Sequence, residues 1–118
     1  MIVNLAINAR DAMPGGGSLR VTTRNRRIDR DTAARLGLEA PGRFVELGVA
    51  DTGHGIDPDV LVRIFEPFFT TKGLGEGSGL GLDVVQHIVH QHGGEIKVES
   101  NPGRTSFRVT LPLVSSAP

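Results

Sequence analysis

The stretch from Asp51 to Leu82 does most to limit what this chain can fold into. It reads DTGHGID, then IFEPFFTTK, then GLGEGSGLGL. That is a glycine-hinged acidic turn, an aromatic segment and a glycine-rich loop, in that order. Glycine lets backbone turn sharply and approach a ligand closely. Glycines spent this way wrap backbone around a phosphorylated ligand. Such a loop has to be carried by regular elements on either side, and the flanking periodicities supply them.

Ile2, Leu5, Ala9 and Ala12 recur at helical spacing, and Pro14-Gly15-Gly16-Gly17 ends that helix. No Ser, Thr, Asp or Asn precedes it as a cap, so the helix is expected to have lost upstream sequence. Leu19, Val21 and Thr23 alternate with Arg20, Thr22 and Arg24, the pattern of a half-buried strand. Residues 29–43 are polar around a short Ala-Ala-Arg-Leu patch and are expected to form a surface excursion. Val45, Leu47 and Val49 alternate again, in a strand that delivers Asp51 at its end. Asp57-Pro58 is a capping residue followed by proline, which predicts a short helix over 58–64. Residues 66–78 show neither period and read as a loop. Leu82, Val85, Ile88 and Val89 share one face of a helix between Gly79 and His92, stopped by Gly93-Gly94. Two further strands, one with Ile96 and Val98 and one with Phe107, Val109 and Leu111, should form a hairpin around Asn101-Pro102-Gly103. The expected fold is an α/β two-layer sandwich, with about three helices on one face of a mostly antiparallel mixed sheet.

At 118 residues the chain reads as one domain, 1–118. It has five Phe and no Trp or Tyr, so its core must be aliphatic. Zero formal net charge gives no bulk electrostatic case for nucleic acid or an anionic membrane. The absence of cysteine excludes disulfides and Cys-ligated zinc, which fits a reducing compartment. No apolar run has the length of a membrane span.

Asn4, Asn8 and Asp11 stand at i, i+4 and i+7 on the first helix, opposite its apolar stripe. Magnesium takes oxygen ligands and needs few from the protein when phosphates supply the rest, so one amide oxygen from Asn8 suffices. A solvated polar face explains the same three residues. Asp51, at a strand end before Thr52-Gly53-His54-Gly55-Ile56, can accept from an exocyclic amine such as that of adenine; an ordinary Asp-x-Gly turn is the plain alternative. Gly73, Gly75, Gly77, Gly79 and Gly81 alternate straight into a helix, whose first amides can form an anion site; a simple mobile loop explains the same run. The run fits neither a Rossmann turn nor a P-loop, because a loop precedes it and Leu82-Asp83 follow the last glycine. Phe65, Phe68 and Phe69 read as packing that anchors a lid, and Thr70, Thr71 and Lys72 as polar groups able to meet phosphate. His87 and His90 at i, i+3 have metal-ligand spacing but no further ligands, and solvated helix-end histidines are the simpler reading.

In order and spacing, Asn-x-x-x-Asn-Ala-x-Asp-Ala, Asp-x-Gly-x-Gly-Ile, Phe-Glu-Pro-Phe-Phe-Thr-Thr-Lys and Gly-x-Gly-x-Gly-Leu-Gly-Leu resemble the N, G1, F and G2 boxes of sensor histidine kinases. Those kinases belong to the Bergerat-fold ATPase/kinase superfamily, with gyrase, chaperone and mismatch-repair ATPases. The resemblance covers nearly the whole chain and is closest to the short-lid Phe-Phe-Thr-Thr-Lys subgroup. It implies an ATP and Mg2+ site: Asn8 on the metal, Asp51 on the adenine amine, Gly53 and Gly55 shaping the adenine pocket, and Gly77, Gly79 and Gly81 near the phosphates. Asn4, Asp11, Ile56, Phe65, Thr71, Lys72, Gly75, Ser78 and Leu80 complete the implied nucleotide set.

Asn4 stands where gyrase-like relatives carry a water-activating Glu. The resemblance therefore implies a domain that positions ATP for transfer of its γ-phosphoryl to a histidine on a separate dimerisation domain, with a response regulator downstream and a cytoplasmic location. None of His54, His87, His90 or His92 has the phosphoacceptor context. Asp11 replaces a common basic residue, Asp83 a small Ser or Thr, and Pro-Gly-Arg-Thr-Ser-Phe lacks one glycine of the usual hairpin. A serine/threonine kinase acting on an anti-sigma antagonist and a non-catalytic binding module of the same fold remain open. Relatives place a strand and a helix before the Asn box. Without them the sheet is expected to expose an edge through which copies self-associate, or to leave the first helix loosely packed, with no activity in isolation.

Overall fold

The computed structural model describes residues 2–67 and 81–113. Its elements are α1 (Ile2–Asp11), β1 (Leu19–Ile28), α2 (Arg30–Leu36), β2 (Gly42–Asp51), α3 (Pro58–Leu61), α4 (Leu82–Gln91), β3 (Glu95–Asn101) and β4 (Arg104–Pro112). The strands form one sheet in the order β1-β2-β4-β3, and each neighbouring pair is antiparallel. The described strands thus realise only the antiparallel part of the expected mixed sheet.

Strand alternation sets the core. Leu47 and Val49 of β2, Ile96 of β3, and Phe107 and Val109 of β4 pack on Leu5 of α1, Ile64, and Val85 and Val89 of α4. Val85, Val89 and Val109 are fully buried. Each such side chain contributes about 1.5–3 kcal/mol through area removed from water. Ile88, expected on the buried face of α4, is 36% exposed. The helix packs through its i, i+4 pair instead. The predicted helix over 58–64 is shorter, with α3 ending at Leu61 and turns carrying the chain onward.

Three further expectations are corrected. On α1, Leu5 and Ala9 are buried but Ile2 is exposed, and Asn4 goes inside in its place. The buried face is rotated from the apolar stripe towards the polar one. Strand β1 is exposed along almost its whole length, not half-buried. It is a sheet edge, and Leu19 and Val21 at its start remain exposed. The supposed surface excursion contains helix α2, capped by the Asp29 side chain accepting from the Thr32 N–H at 2.7 Å and closed by Gly37 at φ +81. That backbone hydrogen bond holds the Asp29 carboxyl below the usual aspartate range.

Ala33 and Leu38 join Ile28 and Phe44 in a second, smaller core. The register gives Ile28 and Phe44 the same parity as Arg26 and Glu46, so they point away from the main core. Helices α1, α3 and α4 therefore cover one face, and α2 caps one end of the other. No helix among the described residues is long and apolar enough to cross a membrane.

Candidate functional site

Asp51 ends β2 with its side chain on the helix-covered face, 5% exposed. Its Oδ1 accepts the Gly53 N–H at 2.8 Å. No Lys, Arg or His nitrogen among the described residues lies within 4 Å of the carboxylate. No buried side-chain oxygen in the described chain is left both unpartnered and sealed from solvent, so Oδ2 keeps an outlet. The result is a carboxylate fixed by one backbone amide, with its second oxygen free to accept from a ligand donor.

Backbone contacts hold this turn on both sides. The Ala12 carbonyl at the end of α1 accepts the His54 N–H at 3.1 Å, and Thr52 and Ser18 exchange N–H groups for oxygens at 2.9 and 3.2 Å. On the other side, Ile56 N–H donates to Ser100 Oγ at 2.7 Å, which is 2.8 Å from Thr105 Oγ1. A Cβ on Gly53 would collide with the Ala12 carbonyl oxygen, and one on Gly55, at φ +82, with the Asn101 carbonyl oxygen. The two glycines are thus required by protein backbone on either side of the turn, a reason their sequence does not reveal. Ser18, Ser100 and Thr105 were missed as well. Only the strand register, which sets Thr105 opposite Asp51, could have pointed to one of them.

Because the end of α1 is tied to this turn, the helix carrying Asn4 and Asn8 is fixed relative to Asp51. Asn4 is buried and Asn8 half-buried. Asp11 lies further along, with its Oδ1 3.7 Å from an Arg10 Nη. Ile56 and Phe65 pack against the main core. Gly81 is the N-cap of α4, without a side-chain cap, so the first amides of that helix are not taken by a side chain. Thr71, Lys72, Gly75, Gly77, Ser78, Gly79 and Leu80, with Phe68, Phe69, Thr70 and Gly73, lie outside the described residues. Of the histidines, His54 Nδ1 meets the Gly55 carbonyl at 2.7 Å, His92 Nδ1 the Ile88 carbonyl at 2.8 Å, and His90 Nε2 lies 3.8 Å from Glu95 Oε2. No cluster of three or more His, Cys, Asp or Glu with metal-holding geometry occurs among the described residues.

Residues 1–115 match the family described as histidine kinase-, DNA gyrase B-, and HSP90-like ATPases. The chain is 50% identical over 113 residues to the sensor kinase CckA of Brucella abortus, covering 93% of this chain and 12% of that protein. It is 40% identical to the sensor histidine kinase ZraS of Salmonella typhimurium, covering 98% of this chain and 22% of ZraS. It is also 40% identical to the sensory histidine kinase/phosphatase NtrB of Rhodobacter capsulatus, covering 96% of this chain and 31% of NtrB. Each of these relatives is far longer than the chain. Among solved structures, the catalytic domain of the histidine kinase ThkA superposes with a TM-score of 0.71 at 28% identity, over 94% of this chain and 62% of that one. The mycobacterial sensor histidine kinase MprB gives 0.64 at 32% identity, over 94% and 68%. With a sandwich of this topology and an uncompensated carboxylate at the acidic turn, the chain belongs to the histidine kinase-, DNA gyrase B- and HSP90-like ATPases and is homologous to the ATP-binding catalytic domains of sensor histidine kinases.

Proposed function

We propose that the chain binds Mg-ATP through the Asp51 turn and, within a longer cytoplasmic kinase, presents the γ-phosphoryl to a histidine on a separate dimerisation domain. The observation that carries this reading is the buried Asp51 carboxylate with one oxygen fixed by Gly53 and no cation beside it among the described residues. A buried carboxylate is costly unless it gains a partner, and an exocyclic amine donor supplies one in the complex. Asn8 is the proposed metal residue. It offers an amide oxygen from a helix anchored to the Asp51 turn, the donor type a hard cation accepts. Bound magnesium would neutralise phosphate charge. The protein's own part is to hold the base at Asp51 and present the uncapped amides of α4 to an anion. Asn4 is an amide and cannot serve as a general base, which favours transfer over hydrolysis.

The test is autophosphorylation of the full-length kinase with γ-labelled ATP. Acid-labile label on a histidine of the dimerisation domain, passed on to a response regulator and lost in Asp51→Asn, is the expected outcome. Acid-stable label on Ser or Thr of a separate protein would overturn the reading in favour of the serine/threonine kinase. Nucleotide binding without any transfer would leave a non-catalytic module. Asn8→Asp should lower transfer more than Asn4→Ala once each is normalised to its folded fraction, a correction needed because Asn4 is buried.

A separate observation supports self-association. Leu19 and Val21 on the β1 edge are exposed, as are Ile2 and Val3 on α1, and an edge strand with uncovered apolar side chains is a template for a second copy.

A further inference from the structure

The face of the sheet opposite the nucleotide turn is open beyond the end capped by α2. The register lays it out in rows: Arg20, Ala50 and Ser106 across β1, β2 and β4, then Thr22, Gly48 and Arg108, then Arg24, Glu46 and Thr110. The middle strand thus contributes the two smallest side chains between two taller rows. A Cβ on Gly48 would come within 2.7 Å of Thr22 Oγ1, so the floor is already as high as its neighbours allow. The result is a trough of about 250 Å³ running along β2 between β1 and β4, with Arg104 at its mouth.

Its charge is one-sided. Among the strand residues of this face, Arg20, Arg24, Arg26, Lys97, Arg104 and Arg108 stand against Glu46, Glu95 and Glu99. The whole chain has no net charge, so this excess is a local arrangement. Glu46 takes Arg24 at 3.0 Å and Arg26 at 2.9 Å, with Arg108 at 3.7 Å. No carboxylate among the described residues lies within salt-bridge reach of Arg20 or Arg104. These two guanidiniums flank the small-residue end of the trough and remain to be matched from outside.

We propose that this trough docks an acidic α-helix of a partner protein, lying along β2 with Glu or Asp side chains meeting Arg20 and Arg104. Two strand spacings, roughly 10 Å, separate the backbones of β1 and β4, and a helix with its side chains is about 10–12 Å across, so a helix rests on the two walls and sends one row of side chains into the trough. From Glu46 to Ala50 the floor runs roughly 13 Å, about two helical turns, and carboxylates at i and i+4, about 6 Å apart along the axis, can both stand over its Arg20–Arg104 half. Small side chains of the helix then sit over Gly48 and Ala50. Guanidinium–carboxylate pairs supply orientation, as bidentate hydrogen bonds do elsewhere. The site is separate from the Asp51 turn and does not depend on the nucleotide reading.

The probes are two synthetic helical peptides of equal length, one with Glu at i, i+4 and i+7 and one with Lys there, titrated into the 15N-labelled protein. The Glu peptide should move the amides of Thr22, Gly48, Ala50 and Ser106, and the Lys peptide should not. Arg20→Glu with Arg104→Glu should weaken the Glu peptide by roughly tenfold or more, since charge reversal converts attraction into like-charge juxtaposition. Ala50→Leu, which fills the floor without changing charge, should weaken it too. Equal shifts with both peptides, no shift at millimolar Glu peptide, or binding of inorganic pyrophosphate to the same amides with displacement of the peptide would each overturn the proposal.

Discussion

Strand β2 buries two carboxylates and treats them in opposite ways. Glu46 is 8% exposed on the open face and is met by three arginines; Asp51, five residues on, is 5% exposed on the helix face and is met by one backbone amide. An odd separation along a strand puts them on opposite sides. Burial pushes the Glu46 carboxyl up, but hydrogen bonds from Arg24 and Arg26 and the charges of Arg24 and Arg108 together hold it below the usual glutamate range. No arginine among the described residues meets Asp51 in this way. Glu46 completes its own neutralisation within the fold, whereas Asp51 leaves its partner to be supplied. The first arrangement is structural, and the second is what a recognition site requires.

The strongest way to break the contrast is to dislodge the turn that holds Asp51. Gly55→Ala should cost about 3 kcal/mol in urea unfolding, adding left-handed backbone strain to a collision with the Asn101 carbonyl. Gly103→Ala is the control. It has positive φ but nothing within 4 Å, and should cost about 1 kcal/mol. Equal costs would show that the turn is not held as described.

Glu46→Gln comes next. Loss of a charge-assisted cluster at a side chain 10% exposed should cost about 1–2 kcal/mol. That is less than a sealed pair would cost, because Arg24 and Arg108 are more than half exposed and can rehydrate. The same residue sets a pH dependence. Its folded pKa is lowered, so its contribution is complete above the usual glutamate range and is lost as pH falls through the folded value. Glu46→Gln should lower the neutral-to-basic plateau of a stability profile by that cost and flatten its acid limb, where the wild-type contribution is already lost. An unchanged acid limb would contradict the ion cluster.

Smaller still is the effect at the edge. Val21→Lys should reduce the concentration dependence of the mass seen by light scattering, with little change in unfolding. A mass that is monomeric at every concentration in the unmodified protein would remove the edge as a contact.

How much of this was legible depended on whether the signal was local. The alternation in β2 and β4, the hairpin at Asn101-Pro102-Gly103 and the α4 helix follow from periods of 2 and 3.6 within single segments, and all four were read correctly. Helix α2 was missed because its apolar content is small, although Asp29 and Gly37 are ordinary start and stop signals. The exposure of β1 was misread because alternation reports what a strand can bury, while its place at the sheet edge decides what is covered. At the site, Asp51 could be singled out from its position before two glycines. Its lack of a cation partner among the described residues, and the role of Ser100 and Thr105 in holding the turn, depend on how distant segments meet, which no window of sequence contains.

The most direct test sets the two β2 carboxylates against each other by calorimetric titration of Mg-ATP into the intact kinase. Asp51→Asn should lower affinity by about 10–100-fold, the equivalent of a charge-assisted hydrogen bond of about 1.5–3 kcal/mol, with GTP gaining nothing or slightly favoured. Glu46→Gln should leave the affinity unchanged at temperatures where it remains folded. Unchanged affinity in Asp51→Asn, or an equal loss in both variants, would contradict the claim that one carboxylate is kept for the ligand and the other for the fold.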